Sequence, residues 1–249
     1  MKHDRVLFVI AHVLSWETAF ETHRAHCELH PCVWLSSQPP PTSVQNLYIH
    51  DYTDECGLRL YHASSFSHMR GLAHLQHEMR ASMKPSYDWY VLLDDNTRVL
   101  GTNWSAMSNR LQVNPRDEAV YAGDFADQGR SEFACGGGGF LLSHAAFHRV
   151  NLSECVESCS QQAHAQAVGL DHIMHRCMTG HNVRAIRKLS CGTCGNRWSP
   201  TFTETRVLSG ACSFMHMQRS HSPRRYSNLL NAIPQNSYAL LVHRYSEFH

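Results

Sequence analysis

Trp89-Tyr90-Val91-Leu92-Leu93 runs without a break into Asp94-Asp95-Asn96. Five bulky apolar residues in succession leave no polar face for solvent. The run therefore predicts a strand covered on both sides, as in the middle of a mostly parallel sheet. Ligands of open parallel sheets gather at the carboxyl ends of the strands. Two carboxylates and an amide at such an end can hold a hard divalent cation through oxygen, and the cation can grip substrate phosphates as well. Asp and Asn are also common in turns after strands, where they bond their own backbone.

The rest of the chain fits such a sheet. Arg5 to Val13 is a second buried-type run. Ser15 can cap a helix reaching Cys27, and Cys32 to Leu35 predicts a short strand, with another over Leu47 to His50. Between them, Gln38 to Thr42 (QPPPT) is a loop. Ser64 to Met83 lacks proline and predicts a helix closed by Lys84-Pro85. Ala119 to Gly123 predicts a strand and Asp124 to Glu132 a polar connection. Phe140 to Leu142 follows four glycines, and Ser143 is placed to cap a helix from His144 to Val150. Glu154 to Met178 reads as mostly helical with a break near Gly169. Strands alternating with helices predict an α/β domain with a sheet sandwiched by helices. At 249 residues, the expectation is one domain over 1–249, with 219–249 poorly defined.

Composition narrows the function classes. Hydrophobic residues are 43% of the chain, enough for a sizeable core. The formal net charge of +1 makes no case for nucleic acid, which calls for a basic excess. The longest apolar runs are strand-sized, well short of the roughly 18 to 20 residues a membrane span needs. The start, MKHDRVLFVIAHV, has basic residues before an apolar run but no small-residue cleavage site, so it reads as the first strand and not as a signal peptide. Any membrane attachment is expected through an anchor that this chain lacks. Ten scattered cysteines suit a disulfide-containing secretory domain, and the sequons at Asn103 and Asn151 are compatible with that compartment. Twenty histidines have no physical account at this stage.

Four further features could carry chemistry. Gly136 to Gly139 lies between apolar residues, where glycine lets backbone approach a ligand. It is neither a Walker loop nor a dinucleotide fingerprint. Asp171, at an expected helix start, is a candidate general base, although acids are common there for helix-end electrostatics alone. His216 lies in an apolar setting and is a candidate metal ligand. Cys191-Gly192-Thr193-Cys194 can form disulfides or, with Cys212 and His216, a Cys3His zinc set.

Taken in order, these pieces resemble the Fringe-like glycosyltransferases, which include Fringe and the core 1 galactosyltransferases. The resemblance lies in VLFVIAHV with a following helix that carries Arg24, in WYVLLDDNTRVL, VYAG and FACGGGGFLLS, and in GLDHIMHRCM. It covers Arg5 to about His216. It implies a GT-A fold, a Rossmann-like mostly parallel sheet. It also implies a UDP-sugar donor, a glycan or glycoprotein acceptor, Mn2+, an inverting displacement and a lumenal secretory, Golgi-type location. Carried onto this chain, Asp94 and Asp95 take the first two acidic positions of the metal motif. Asp171 is the general base. Asp95, Asn96 and His216 are the metal set, and Arg24, Asp94, Asp95, Gly136 and Gly137 lie at the donor. Two positions depart from the family. Asn96 stands where a third acid is usual and offers one neutral oxygen. Leu170 replaces the acid before the base. Three readings follow: an active transferase, a relative that only binds carbohydrate or nucleotide, and a zinc- or disulfide-stapled interaction domain.

Overall fold

The computed structural model describes residues 4–12, 16–41, 44–49, 60–82, 86–95, 97–99, 104, 107–123, 125–127, 132–134, 139–156, 170–187 and 214–216. Seven strands form the main sheet: β1 (Val6–His12), β2 (Cys32–Ser36), β3 (Leu47–Ile49), β4 (Trp89–Asp94), β6 (Val120–Gly123), β9 (Phe140–Ser143) and β10 (Arg184–Arg187). Two small pairs stand apart from it: β5 (Thr97–Val99) with β11 (Phe214–His216), and β7 (Phe125–Asp127) with β8 (Glu132–Ala134). The helices are α1 (Trp16–Cys27), α2 (Leu60–Ala81), α3 (Met107–Leu111), α4 (His144–Arg149), α5 (152–156) and α6 (Leu170–Gly180).

The main sheet runs β10-β6-β9-β4-β1-β2-β3. Neighbours are parallel except at β9, which is antiparallel to both β4 and β6. The buried run at Val6–His12 and the run ending in the acids are side by side, with Ala11 opposite Asp94. From β1 the chain builds outward through β2 and β3, then returns to lay β4 on the other side of β1. The sheet order therefore reverses between β1 and β4, and a crevice at their carboxyl ends is where such sheets take ligands. This is the α/β architecture expected from the sequence.

Alternation along the central strands divides the core. Leu7, Val9, Tyr90, Leu92 and Leu142 face α2, α4 and α6, while Phe8, Trp89, Val91, Leu93 and Leu141 face Trp104 and Met107. Residues of both sets are almost wholly buried. That is why the sequence shows continuous apolar runs and no alternation.

Several boundaries differ from the sequence expectation. The helix expected from Ser64 begins at Leu60 and is described to Ala81. The supposed polar connection after Gly123 contains the β7–β8 hairpin. Ser143 caps α4 as expected: its backbone is extended and its hydroxyl accepts from the Ala146 amide. Within Glu154 to Met178, helix is described up to 156 and again from Leu170. No described helix is long and apolar enough to cross a membrane.

Two disulfides brace the layers. Cys27–Cys32 joins the end of α1 to the start of β2, and Cys155–Cys177 joins α5 to α6. They account for every cysteine among the described residues. The Cys191-Cys194 pair and Cys212 lie outside those residues.

Candidate active site

The acids predicted from sequence stand at the reversal point of the sheet. Asp94 is the last residue of β4 and Asp95 begins the turn after it. Asp95 is buried, at 2% exposure, and its amide donates to Ala11 O at 3.1 Å. Asp94 keeps a partly exposed surface, yet enough protein surrounds its carboxyl for burial to dominate its titration. Burial first, then the charges of Asp171 and Asp95, push its pKa up to about 7.

Asp171 reaches this cluster from another element. It occupies the first turn of α6, where an acid complements the helix dipole. Its carboxylate accepts from the His172 amide at 2.9 Å and lies 3.1 Å from His172 Nδ1. Asp171 is 19% exposed, open enough to meet a substrate. An imidazole N–H on one carboxylate oxygen fixes the rotamer and leaves the other oxygen for chemistry. Sequence reasoning passed over His172, although its place beside the candidate base was a usable signal.

Leu170, next to Asp171, packs against the core cluster around α2 and α6. It lines a small cavity with Asp94, Phe140 and Leu92. An apolar residue is thus accommodated by its surroundings at this position.

The remaining candidates vary in how far they can be placed. Arg24 lies in the last turn of α1 and is exposed, and α1 packs against β5 just past the acids. In the β11–β5 pair, His216 stands opposite Thr97. The backbone of His216 is therefore brought beside the strand that follows Asn96. Asn96, Gly136 and Gly137 lie outside the described residues.

Histidines surround the same strand ends. His68 is buried, its Nε2 bonds His12 O at 3.0 Å, and burial lowers its pKa to about 4. His12 bonds Ser36 Oγ through Nδ1 at 2.9 Å and stacks on Trp16 at 3.7 Å. His23 bonds Asp94 O through Nε2 at 3.1 Å. Part of the high histidine count thus serves as buried hydrogen-bonding groups. His23 was legible as a site residue in principle: Trp16, Ala19, His23 and His26 follow the buried stripe of α1 at helical spacing.

A larger cleft, about 510 Å³, opens at the opposite end of β4, between Asp4, Asp88, Asn109 and Arg116. Its charges are already engaged with one another. Asp88 pairs with Arg116 at 2.7 Å and accepts from the Arg5 amide, and Asp4 accepts from Ser108. These bonds tie down the amino-terminal side of the sheet.

No protein-family description matches the chain, and no curated protein does. Among solved structures, it is similar to the crystal structure of a glycosyltransferase involved in the glycosylation of the major capsid of PBCV-1. The two are 12% identical with a TM-score of 0.48, over 89% of this chain and 98% of that one. At such a likeness no donor, acceptor or reaction passes from that enzyme to this chain.

Proposed function

We propose that the chain is an inverting glycosyltransferase of the Fringe-like kind, transferring a hexose or N-acetylhexosamine from a UDP-sugar to a glycan or glycoprotein. The observation that carries this reading is the meeting of Asp171 with Asp94 and Asp95 at the reversal point of the sheet. Asp171 comes from a separate element, and burial first, then the charges of Asp171 and Asp95, raises the Asp94 carboxyl to about 7. Such a cluster is costly without a cation or a bound proton.

The donor set suits Mn2+. Asp95 offers a carboxylate, Asn96 an amide oxygen and His216 an imidazole, a mixture that fits a borderline-hard divalent ion. A bound Mn2+ would act as a Lewis acid, offsetting charge on the departing UDP. The protein's own residues do the rest. Arg24, exposed on α1, would meet diphosphate charge. Gly136 and Gly137 would let the backbone close on donor or acceptor. Asp171, held by His172, takes the proton of the acceptor hydroxyl as its oxygen attacks the anomeric carbon and the bond to UDP breaks. The two disulfides support a lumenal secretory compartment.

A second reading is a relative that binds donor or glycan without turnover. Asn96 and the apolar Leu170 favour it. The two are separated by product formation with UDP-sugars in the presence of manganese. Turnover that disappears in Asp171→Asn, with UDP binding kept, supports the enzyme. UDP binding without turnover for any donor supports the binding relative.

A further inference from the structure

The peptide unit between Asp94 and Asp95 is held at both edges. Its amide, on Asp95, donates to Ala11 O at 3.1 Å, which continues the ladder from β1. Its carbonyl, on Asp94, accepts from His23 Nε2 at 3.1 Å. A neighbouring strand supplies the first bond as a matter of course. The second comes from a fully buried side chain on α1.

The tautomer follows from the acceptor. A carbonyl only accepts, so His23 Nε2 carries a proton, and a neutral ring protonated there presents an accepting Nδ1. His26 Nε2 lies 3.2 Å from that Nδ1, within hydrogen-bond distance, and is the donor when the His23 ring is neutral. His26 is itself buried and packs on Phe8, ring centroids 4.8 Å apart. The next residue, Cys27, is bonded to Cys32 at the start of β2. Two rings thus connect a pinned helix end to the peptide of the acid pair.

We propose that His23, seated on His26, is a positioning residue of the nucleotide-sugar site. It sets the orientation of the Asp94–Asp95 peptide against α1, and with it the direction in which Asp95 presents its carboxylate. The inference rests on the reading of the site given above. A histidine that only filled the core would affect stability and leave cation affinity alone.

The experiment uses the whole, disulfide-intact chain. Manganese affinity is followed by the paramagnetic resonance of the free ion, UDP affinity by calorimetry, and folding by circular dichroism and thermal unfolding. His23→Leu removes the donor at similar volume. It is expected to weaken manganese binding on the order of 10- to 100-fold, as loss of a group orienting a ligand does. His23→Gln restores a donor and an acceptor on one side chain and is expected to recover most of the affinity. His26→Leu, which keeps the bond to Asp94 O but removes its support, is expected to give a smaller loss. Should His23→Leu fail to fold, the glutamine and His26 variants still decide. Wild-type manganese affinity in His23→Leu overturns the proposal, as does wild-type affinity in His26→Leu or a His23→Gln variant that recovers none of the affinity lost in His23→Leu. An unaltered chain that binds neither manganese nor UDP overturns the site reading and this inference together. Unchanged binding in the variants overturns this inference alone.

Discussion

Asp171, in the first turn of α6, stands close enough to Asp94, at the end of β4, for its charge to raise the Asp94 pKa. A general base needs to be ionised and open to its substrate, and Asp171 is partly exposed with one oxygen bonded by His172. Asp171→Asn keeps the shape and removes the basicity. Transfer should fall on the order of 100- to 10,000-fold while UDP affinity stays near wild type. Steady-state kinetics with parallel calorimetry would check this, and retained transfer would remove Asp171 from the role.

The buried histidines give the fold a pH dependence of definite sign. The folded His68 pKa of about 4 lies below the ordinary 6.5. Below pH 6.5 the unfolded chain gains a proton that the folded chain refuses, so stability falls as pH drops from 6.5 toward 4, by at most about 1.4 kcal/mol per unit for this group. Asp94 works in the opposite sense. Its folded pKa of about 7 is raised from 3.8, so its contribution declines as pH rises through that window. Urea unfolding at pH 7, 6 and 5 should therefore show a shallower acid loss for His68→Gln and a steeper one for Asp94→Asn.

Gly123 closes β6 where no side chain fits. A Cβ placed there would lie 2.8 Å from Ala134 Cβ and 3.2 Å from Phe140 Cβ. Neither neighbour is the free end of a flexible side chain. Gly123→Ala should destabilise by about 1–3 kcal/mol through overpacking, read as a lower urea midpoint.

Cys155 and Cys177 are 22 residues apart and tie α5 to the helix that carries Asp171. Replacing both with alanine should cost about 3 kcal/mol, the size expected for closing a loop of this order. A thermal melt in oxidising and reducing buffer would check it. The melting point of the double variant should not change with reductant through this bond.

The central sheet was legible because β1 and β4 are buried on both faces, and burial of that kind writes itself as an unbroken apolar run. The acids at the end of β4 were legible for the same reason, since they interrupt such a run. Short antiparallel pairs were not. Three residues, as in β5 or β11, carry no measurable periodicity, and the pairing of His216 with Thr97 joins distant parts of the chain. The link from His23 to Asp94 O was hidden for another reason. A main-chain acceptor has no residue type to betray it. Disulfide partners were equally closed to sequence reading, because Cys155–Cys177 depends on how α5 and α6 approach.

A donor site built on Asp94, Asp95 and a divalent cation should bind UDP only when the cation is present. Titration calorimetry of UDP into the purified chain, with and without manganese, tests it most directly. Binding is expected to require manganese and to be lost in Asp95→Ala. Absence of UDP binding in both conditions would contradict it.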